Sequence, residues 1–197
     1  MRRIVLTSIL TLLLAGAVPA MASDLSLFGS YWQPSDFEDT AGGGLRFGFG
    51  SGAVQFELRG TYYPDITEDM NELLDTDDSP LDDFELKAIP AEAGIVFNFA
   101  QGSSVSPYIG GGATYYILDT NVGEVDDEAG FYVVGGLRAG GANGGVGFVA
   151  ETLYRNVEGS VKFDPQDFDD IDDVDFQDEF DLDLSGFAAN VGIVFRF

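Results

Sequence analysis

The side chains able to do chemistry in this 197-residue sequence are carboxylates, arginines and little else. It contains no His and no Cys, so a thiol nucleophile, a zinc-thiolate site, a disulfide and an imidazole base are all excluded. No Ser is paired with a recognisable base, and acid-base work by carboxylates alone would need a spacing that the sequence does not offer. No catalytic residue, no cofactor site and no metal site is therefore assigned, and the chain is not expected to be an enzyme. With 34 acidic against 9 basic residues the formal net charge is -25. Phosphate binding needs clustered Lys and Arg, so nucleic acid is not an expected partner.

The charges fall into two groups with different prospects. Arg46, Arg59, Arg138, Arg155 and Arg196 occur in the same kind of segment as Glu57, Glu92 and Glu151. Guanidinium and carboxylate groups pair in a planar fork that satisfies several donors at once, which suits an enclosed space. Lys87 and Lys162, the other two bases after residue 22, are expected outside any hydrocarbon. The second group is acidic: residues 65–85 hold ten acids and no base, and residues 158–183 hold twelve with Lys162 alone. Solvation is the preferred role for such runs. A sharper alternative is that Asp167, Asp169, Asp170, Asp172, Asp173 and Asp175 gather Ca²⁺ or Mg²⁺ and so dock against anionic lipopolysaccharide, although the run lacks the internal Gly of a calcium loop. Phe163, Phe168, Ile171, Val174, Phe176 and Phe180 are interleaved with these acids. They point to an extension of the last hairpin above a membrane, or to contact with a protein partner.

The elements that must carry these groups read as strands. Residues 1–22 form a secretory signal: Arg2 and Arg3, a largely apolar stretch of 12 from Ile4 to Ala15, and the small-x-small site Ala20-Met21-Ala22. That stretch is shorter than the ~20 residues a membrane helix needs. The domain is then 23–197. Across it apolar and polar residues alternate with period two, as in Val54, Phe56, Leu58 against Gln55, Glu57, Arg59, and in Phe187, Ala189, Val191, Ile193 against Asn190 and Gly192. Counting every such stretch, with Leu25 to Trp32 as the first, gives eight strands. In that first strand Leu25, Leu27 and Tyr31 compete with Phe28 and Trp32 for the apolar face.

The connections alternate in length. Short turns are expected at Ser51-Gly52, Ala100 to Ser104 and Gly140 to Gly144; long polar segments at Pro34 to Thr40, Pro64 to Asp83, Leu118 to Ala129 and Asn156 to Asp183. Thr67 to Leu74 could include a short helix. This asymmetry, with strands of ~10 residues tilted at ~45°, fits an all-β, eight-stranded antiparallel up-and-down transmembrane β-barrel. Alternation does not say which face is inside. The polar face settles it, because Gly with near-balanced Arg and Glu suits a cramped interior better than a solvated surface. Tyr31, Trp32, Tyr62, Tyr63, Tyr115, Tyr116 and Tyr154 then form an expected interfacial belt. Pro107 lies near a strand start, whereas Pro90 sits deeper and implies a bulge or an unpaired carbonyl. Gly42 to Gly44 and Gly110 to Gly112 lead into further strand rather than a helix, so they are not phosphate loops; they leave room for Arg and Tyr on neighbouring strands.

With these residues in view, the chain resembles the outer membrane protein beta-barrel domain family, of the small OmpA/OmpX-like type. The likeness rests on Ser106-Pro107-Tyr108-Ile109-Gly110-Gly111-Gly112, on Ile89-Pro90-Ala91-Glu92-Ala93-Gly94, and on the closing Val191-Gly192-Ile193-Val194-Phe195-Arg196-Phe197. The resemblance implies a place in the outer membrane after Sec-type secretion, with outer-membrane lipid and lipopolysaccharide as surroundings. It also implies recognition by the barrel-assembly machinery through the C-terminal strand, so that Val191, Ile193, Phe195 and Phe197 would face lipid and direct assembly. No cell-wall-binding domain is expected. The function so implied is structural or surface-interacting, with acidic external loops, no open pore and an unknown external ligand. The alternative is a narrow channel for ions or small solutes lined by the Arg and Glu interior. A membrane hydrolase lacks the His such a site would use, and a soluble carrier is disfavoured by the Gly/Arg face and the terminal Phe.

Overall fold

The computed structural model describes residues 22–50, 52–68, 84–100, 103–120, 124–125, 128–140, 144–162 and 179–197. They form eleven strands: β1 (Ala22–Pro34), β2 (Thr40–Phe49), β3 (Val54–Glu68), β4 (Phe84–Asn98), β5 (Val105–Thr120), β6 (Glu124–Val125), β7 (Glu128–Gly140), β8 (Gly145–Asn156), β9 (Glu158–Lys162), β10 (Glu179–Asp183) and β11 (Gly186–Arg196). Eight of them close a barrel in the order β1-β11-β8-β7-β5-β4-β3-β2, every neighbouring pair antiparallel. Closure is made by β1 on β11, in unbroken register from Asp24 opposite Arg196 to Pro34 opposite Gly186. No edge is left to expose its backbone groups, which is what a sheet meeting hydrocarbon on its outside requires.

One end of the barrel has tight connections. Gly50, Gly52, Gly140 and Gly144 there have φ between 80° and 105°, a left-handed conformation open to Gly at little steric cost. Both ends of the described chain lie at this end, with Ala22 beside Phe49 and Phe197 N donating to Ser23 O at 3.0 Å. At the other end the strands run on past the barrel's waist. The barrel strands are 10 to 16 residues long, and β3, β5, β9 and β10 occupy parts of segments expected to be loops. In particular Thr67 and Glu68 belong to β3, so no helix begins at Thr67; the rest of that expectation lies outside the described residues, as does the signal segment up to residue 21.

A second, three-stranded sheet stands at the long-loop end, in the order β10-β9-β6. Lys162 lies opposite both Glu179 and Glu124 in its ladders. The hairpin of β8 and β11 thus continues into β9 and β10, as the apolar residues interleaved with the acids suggested. Between the sheets the chain is pinched at Val157, Leu184 and Ser185. Leu184 N donates to Val157 O at 3.1 Å and Val157 N to Ser185 Oγ at 3.0 Å.

Pro90 marks an interruption in the wall. The pairs Gly60-Ala91 and Tyr63-Ala88 place Thr61 opposite Pro90 and Tyr62 opposite Ile89, yet the ladder skips both, and its register shifts between Tyr63 and Ile66. A residue without an N–H cannot complete that ladder. On its other side Pro90 lies in register with Tyr116.

Candidate functional site

Alternation along the strands delivers two chemically opposite surfaces. Inside, the described residues bury eight charged side chains: Asp24, Glu57, Glu92 and Glu151 against Arg46, Arg59, Arg138 and Arg155. The balance is four to four. Arg155 reaches across from β8 so that its Nε donates to Glu92 Oε1 at 2.7 Å, while Arg59 Nη1 lies 2.8 Å from Glu151 Oε1. Arg46 Nη2 donates to Asp24 Oδ1 at 3.2 Å and to Ser26 Oγ at 2.9 Å. Neutral groups hold the carboxylates from the other side: Asn190 Nδ2 donates to Glu151 Oε1 at 2.9 Å, Tyr132 OH to Glu57 Oε1 at 2.8 Å, and Tyr108 OH to Glu151 Oε2. Nearest the tight turns, Arg138 Nη1 donates to Gln55 Oε1 at 2.8 Å and Asn98 Oδ1 at 2.9 Å. Several guanidinium groups also lie over rings, Arg138 within 4.4 Å of the Tyr108 centroid.

The seven Arg and Glu residues other than Arg196 are inside, as alternation implied. Arg196 is not. It is only half-buried at the tight-turn end, where Nη1 donates to Gly140 O at 3.0 Å, because the last strand runs out of barrel there. Four arginines remain inside, and the fourth acid that balances them is Asp24, which the sequence reading missed. The signal was present: Asp24, Ser26 and Ser30 share one parity on β1, the same small and polar character as the other inward faces.

The inward glycines create room for the rings, as expected. A Cβ on Gly136 would stand 2.7 Å from the Cζ and OH of Tyr108, and one on Gly94 would overlap the Tyr132 hydroxyl. Gly42 to Gly44 lie in β2 and Gly110 to Gly112 in β5, within strands rather than at a helix entry.

The expected aromatic belt divides into two. Tyr31, Tyr62 and Tyr115 are exposed on the outer wall, whereas Trp32, Tyr63 and Tyr116 are fully buried inside. Each inner ring follows an outer one in sequence, and successive residues of a strand point to opposite faces, so adjacent aromatics cannot share a belt. Tyr154 stays on the outer wall, 4.9 Å from Phe187 between centroids. Inside, Trp32 packs 4.9 Å from Tyr63 and 5.8 Å from Tyr116. Tyr63 OH is 2.6 Å from Ser30 Oγ and accepts from Arg155 Nη1 at 3.2 Å. Ile66, Leu86, Leu118, Val157 and Leu184 are buried with these rings in one apolar cluster, which stoppers the long-loop end. On β1 the contest between faces is resolved with Phe28 and Trp32 inward and Leu27 and Tyr31 outward.

The outer wall is apolar: Phe148 is 68%, Val191 67% and Phe197 76% exposed, with Ile193 also exposed and Phe195 partly so. Lys87 is exposed on the long-loop side of β4, and Lys162 lies in β9, beyond the barrel. At the rim Tyr31 OH and Gln33 Nε2 both donate to Asp39 Oδ2, at 2.7 and 3.0 Å. The Tyr31 bond foremost, then the Gln33 bond, hold the Asp39 carboxyl below its ordinary range. Among the described residues no cluster of three or more acids, His or Cys is placed to hold a metal. Asp167, Asp169, Asp170, Asp172, Asp173 and Asp175 lie outside the described residues.

Known structures share this architecture. OprG, an outer membrane protein from Pseudomonas aeruginosa, aligns with a TM-score of 0.62 at 15% identity, over 90% of this chain and 97% of its own. Neisserial surface protein A (NspA) aligns at 0.55 and 16% identity, over 88% and 96%. The outer membrane protein AlkL, solved in DMPC lipid bilayers, aligns at 0.50 and 10% identity, over 90% of each chain. No protein-family model and no curated protein matches the sequence. At these identities the likeness is one of fold, and the fold is that of the small eight-stranded outer membrane barrels.

Proposed function

We propose that this chain is a small integral outer-membrane protein with a structural or surface-interaction role, no open pore and no catalytic activity. The observation that carries it is the lumen: four acids and four arginines are buried there in contact with one another, below an aromatic stopper. Eight strands enclose a space about wide enough for side chains to fill. A charge paired with an opposite charge offers a passing ion nothing to replace its hydration shell. The apolar outer wall supports a place in a bilayer, and the neighbours in fold are outer-membrane proteins. Residues 1–22 fit a secretory signal, and the last strand, Val191 to Phe197, fits a substrate of the barrel-assembly machinery. The described parts of the acidic stretches, β9 and β10 among them, belong to the long-loop end, and beside lipopolysaccharide their acids would need divalent cations between the two sets of anions.

Planar-bilayer recording of the refolded full chain tests this reading. The expected result is a membrane that keeps its baseline conductance in molar KCl. Reproducible single-channel steps would establish the narrow-channel alternative instead.

A further inference from the structure

The connection from β1 to β2 reaches back into the barrel mouth. Of residues 35–39, Ser35, Asp36, Glu38 and Asp39 are exposed, whereas Phe37 is only 8% exposed and belongs to the apolar cluster of the stopper, with Trp32, Tyr63, Leu86 and Leu184. A single ring thus carries the segment inward. Polar groups fasten it on both sides of that ring. Toward the second sheet, Ser35 N and Ser35 Oγ both donate to Ser185 O, at 2.8 and 2.9 Å, and Asp183 N donates to Asp36 Oδ2 at 2.7 Å. Toward the barrel, Asp39 Oδ2 accepts from Tyr31 OH and Gln33 Nε2.

The carboxylate bonds lie at the exposed rim, where water competes for the same groups. Such a bond shifts an equilibrium by about two- to tenfold. Burial of one Phe side chain shifts it by about ten- to a hundredfold. Together they make a detached segment about 10² to 10⁴ times rarer than a seated one. Opening the barrel itself disrupts a closed ring of eight strands and is rarer still, so the two events are separable.

We propose that residues 35–39 are a movable strap. Seated, it sets Phe37 in the cluster that buries Trp32; lifted, it bares the indole while the barrel stays closed. Asp183 is the last residue of β10 and Ser185 immediately precedes β11. The outer latch therefore grips the root of the second sheet, and a displacement of that sheet is transmitted to Phe37. The eight buried charges of the lumen take no part, so the strap is independent of whether the barrel conducts.

Trp32 is the sole Trp in the chain, and its Nε1 is buried without a hydrogen bond to the protein, so access of solvent sets the exchange of its proton. The test is hydrogen exchange by NMR on the refolded full chain in micelles, with heat-dependent gel mobility as the check on folding. The expected wild-type result is an indole N–H protected about 10²- to 10⁴-fold. That is at least about tenfold less than the slowest barrel amides, and mild urea should not quicken it. Asp36→Ala and Asp39→Ala should each lower the protection about two- to tenfold, and Phe37→Ala about tenfold or more. A wild-type indole as protected as the slowest barrel amides overturns the strap, even if the variants do not fold, and so does one with no protection. Folded variants with unchanged protection also overturn it. An effect of Asp39→Ala without one of Asp36→Ala overturns the link to the second sheet.

Discussion

Orientation of the wall can be tested by placing one charge at successive depths along a single strand. On β8 the outward residues Val146, Phe148, Ala150, Thr152 and Tyr154 alternate with inward Val149, Glu151, Leu153 and Arg155. Ala150 is the middle of the outward set. With about 3.4 Å per residue and a tilt near 45°, each residue climbs about 2.4 Å, so Phe148 lies about 5 Å from Ala150 along the membrane normal. An apolar band about 25 Å tall extends about 12 Å to either side of its centre. A lipid-facing Arg costs about 2–4 kcal/mol at mid-depth and about 0–1 at the interface. Interpolation gives about 3 kcal/mol for Ala150→Arg, about 2 for Phe148→Arg and about 1 for Val146→Arg. The inward control is Val149→Thr. Val149 lies opposite Arg138, whose Nε lacks a partner, so a hydroxyl there should cost at most about 1 kcal/mol. Reversible urea unfolding in lipid vesicles measures all four. Equal penalties down the strand, or a Val149→Thr penalty larger than that of Phe148→Arg, would refute the claim that the phenylalanine face meets lipid.

Three further outcomes follow from the interior and the rim. Arg155→Met leaves buried Glu92 without its 2.7 Å partner and should cost about 3–5 kcal/mol; adding Glu92→Gln should recover part of that in the same urea assay, and simple additivity would show that the pair is not coupled. Gly136→Val would drive a side chain into the Tyr108 ring and should cost at least about 1–3 kcal/mol, with lost heat-dependent gel mobility in the extreme case and wild-type stability as the contrary result. Asp39, with its carboxyl held below the usual range by Tyr31 and Gln33, stabilises the fold above the unfolded Asp value of about 3.9, and that contribution fades as pH falls through the lower folded value. A carboxyl-carbon NMR titration should therefore place its midpoint below that of free Asp, and Tyr31→Phe should raise it; an unmoved midpoint would mean that the rim bond does not persist in solution.

Much of the architecture was legible because a strand's period of two is written directly in residue order. Phe187, Ala189, Val191 and Ile193 cannot alternate with Asn190 and Gly192 by accident of composition, and tight turns at Gly50-Gly52 and Gly140-Gly144 fix which end is which. The interior was legible in kind: Arg46, Arg59, Glu57, Glu92 and Glu151 were assignable from their face alone. What escaped was anything that parity leaves degenerate. Tyr62-Tyr63 and Tyr115-Tyr116 look identical to a composition count, yet one ring of each pair faces outward and the other is buried. Asp24 was missed because it opens a strand whose two faces both carry large apolar groups, Phe28 and Trp32 inward against Leu27 and Tyr31 outward. The extra length of β3, β5 and the β9-β10 hairpin was hidden by their acids, since a strand that has left hydrocarbon no longer needs an apolar face.

The zipper between β1 and β11 has a consequence for biosynthesis. The first and last described strands meet along eleven consecutive residues, although nearly the entire polypeptide separates them in sequence. A chain halted before residue 186 would therefore present two raw borders, on β1 and on β8, each a row of unmet amides that hydrocarbon penalises by several kcal/mol per group. Products lacking β11 have no partially inserted refuge, so insertion becomes a commitment that waits for the strand which shuts the ring.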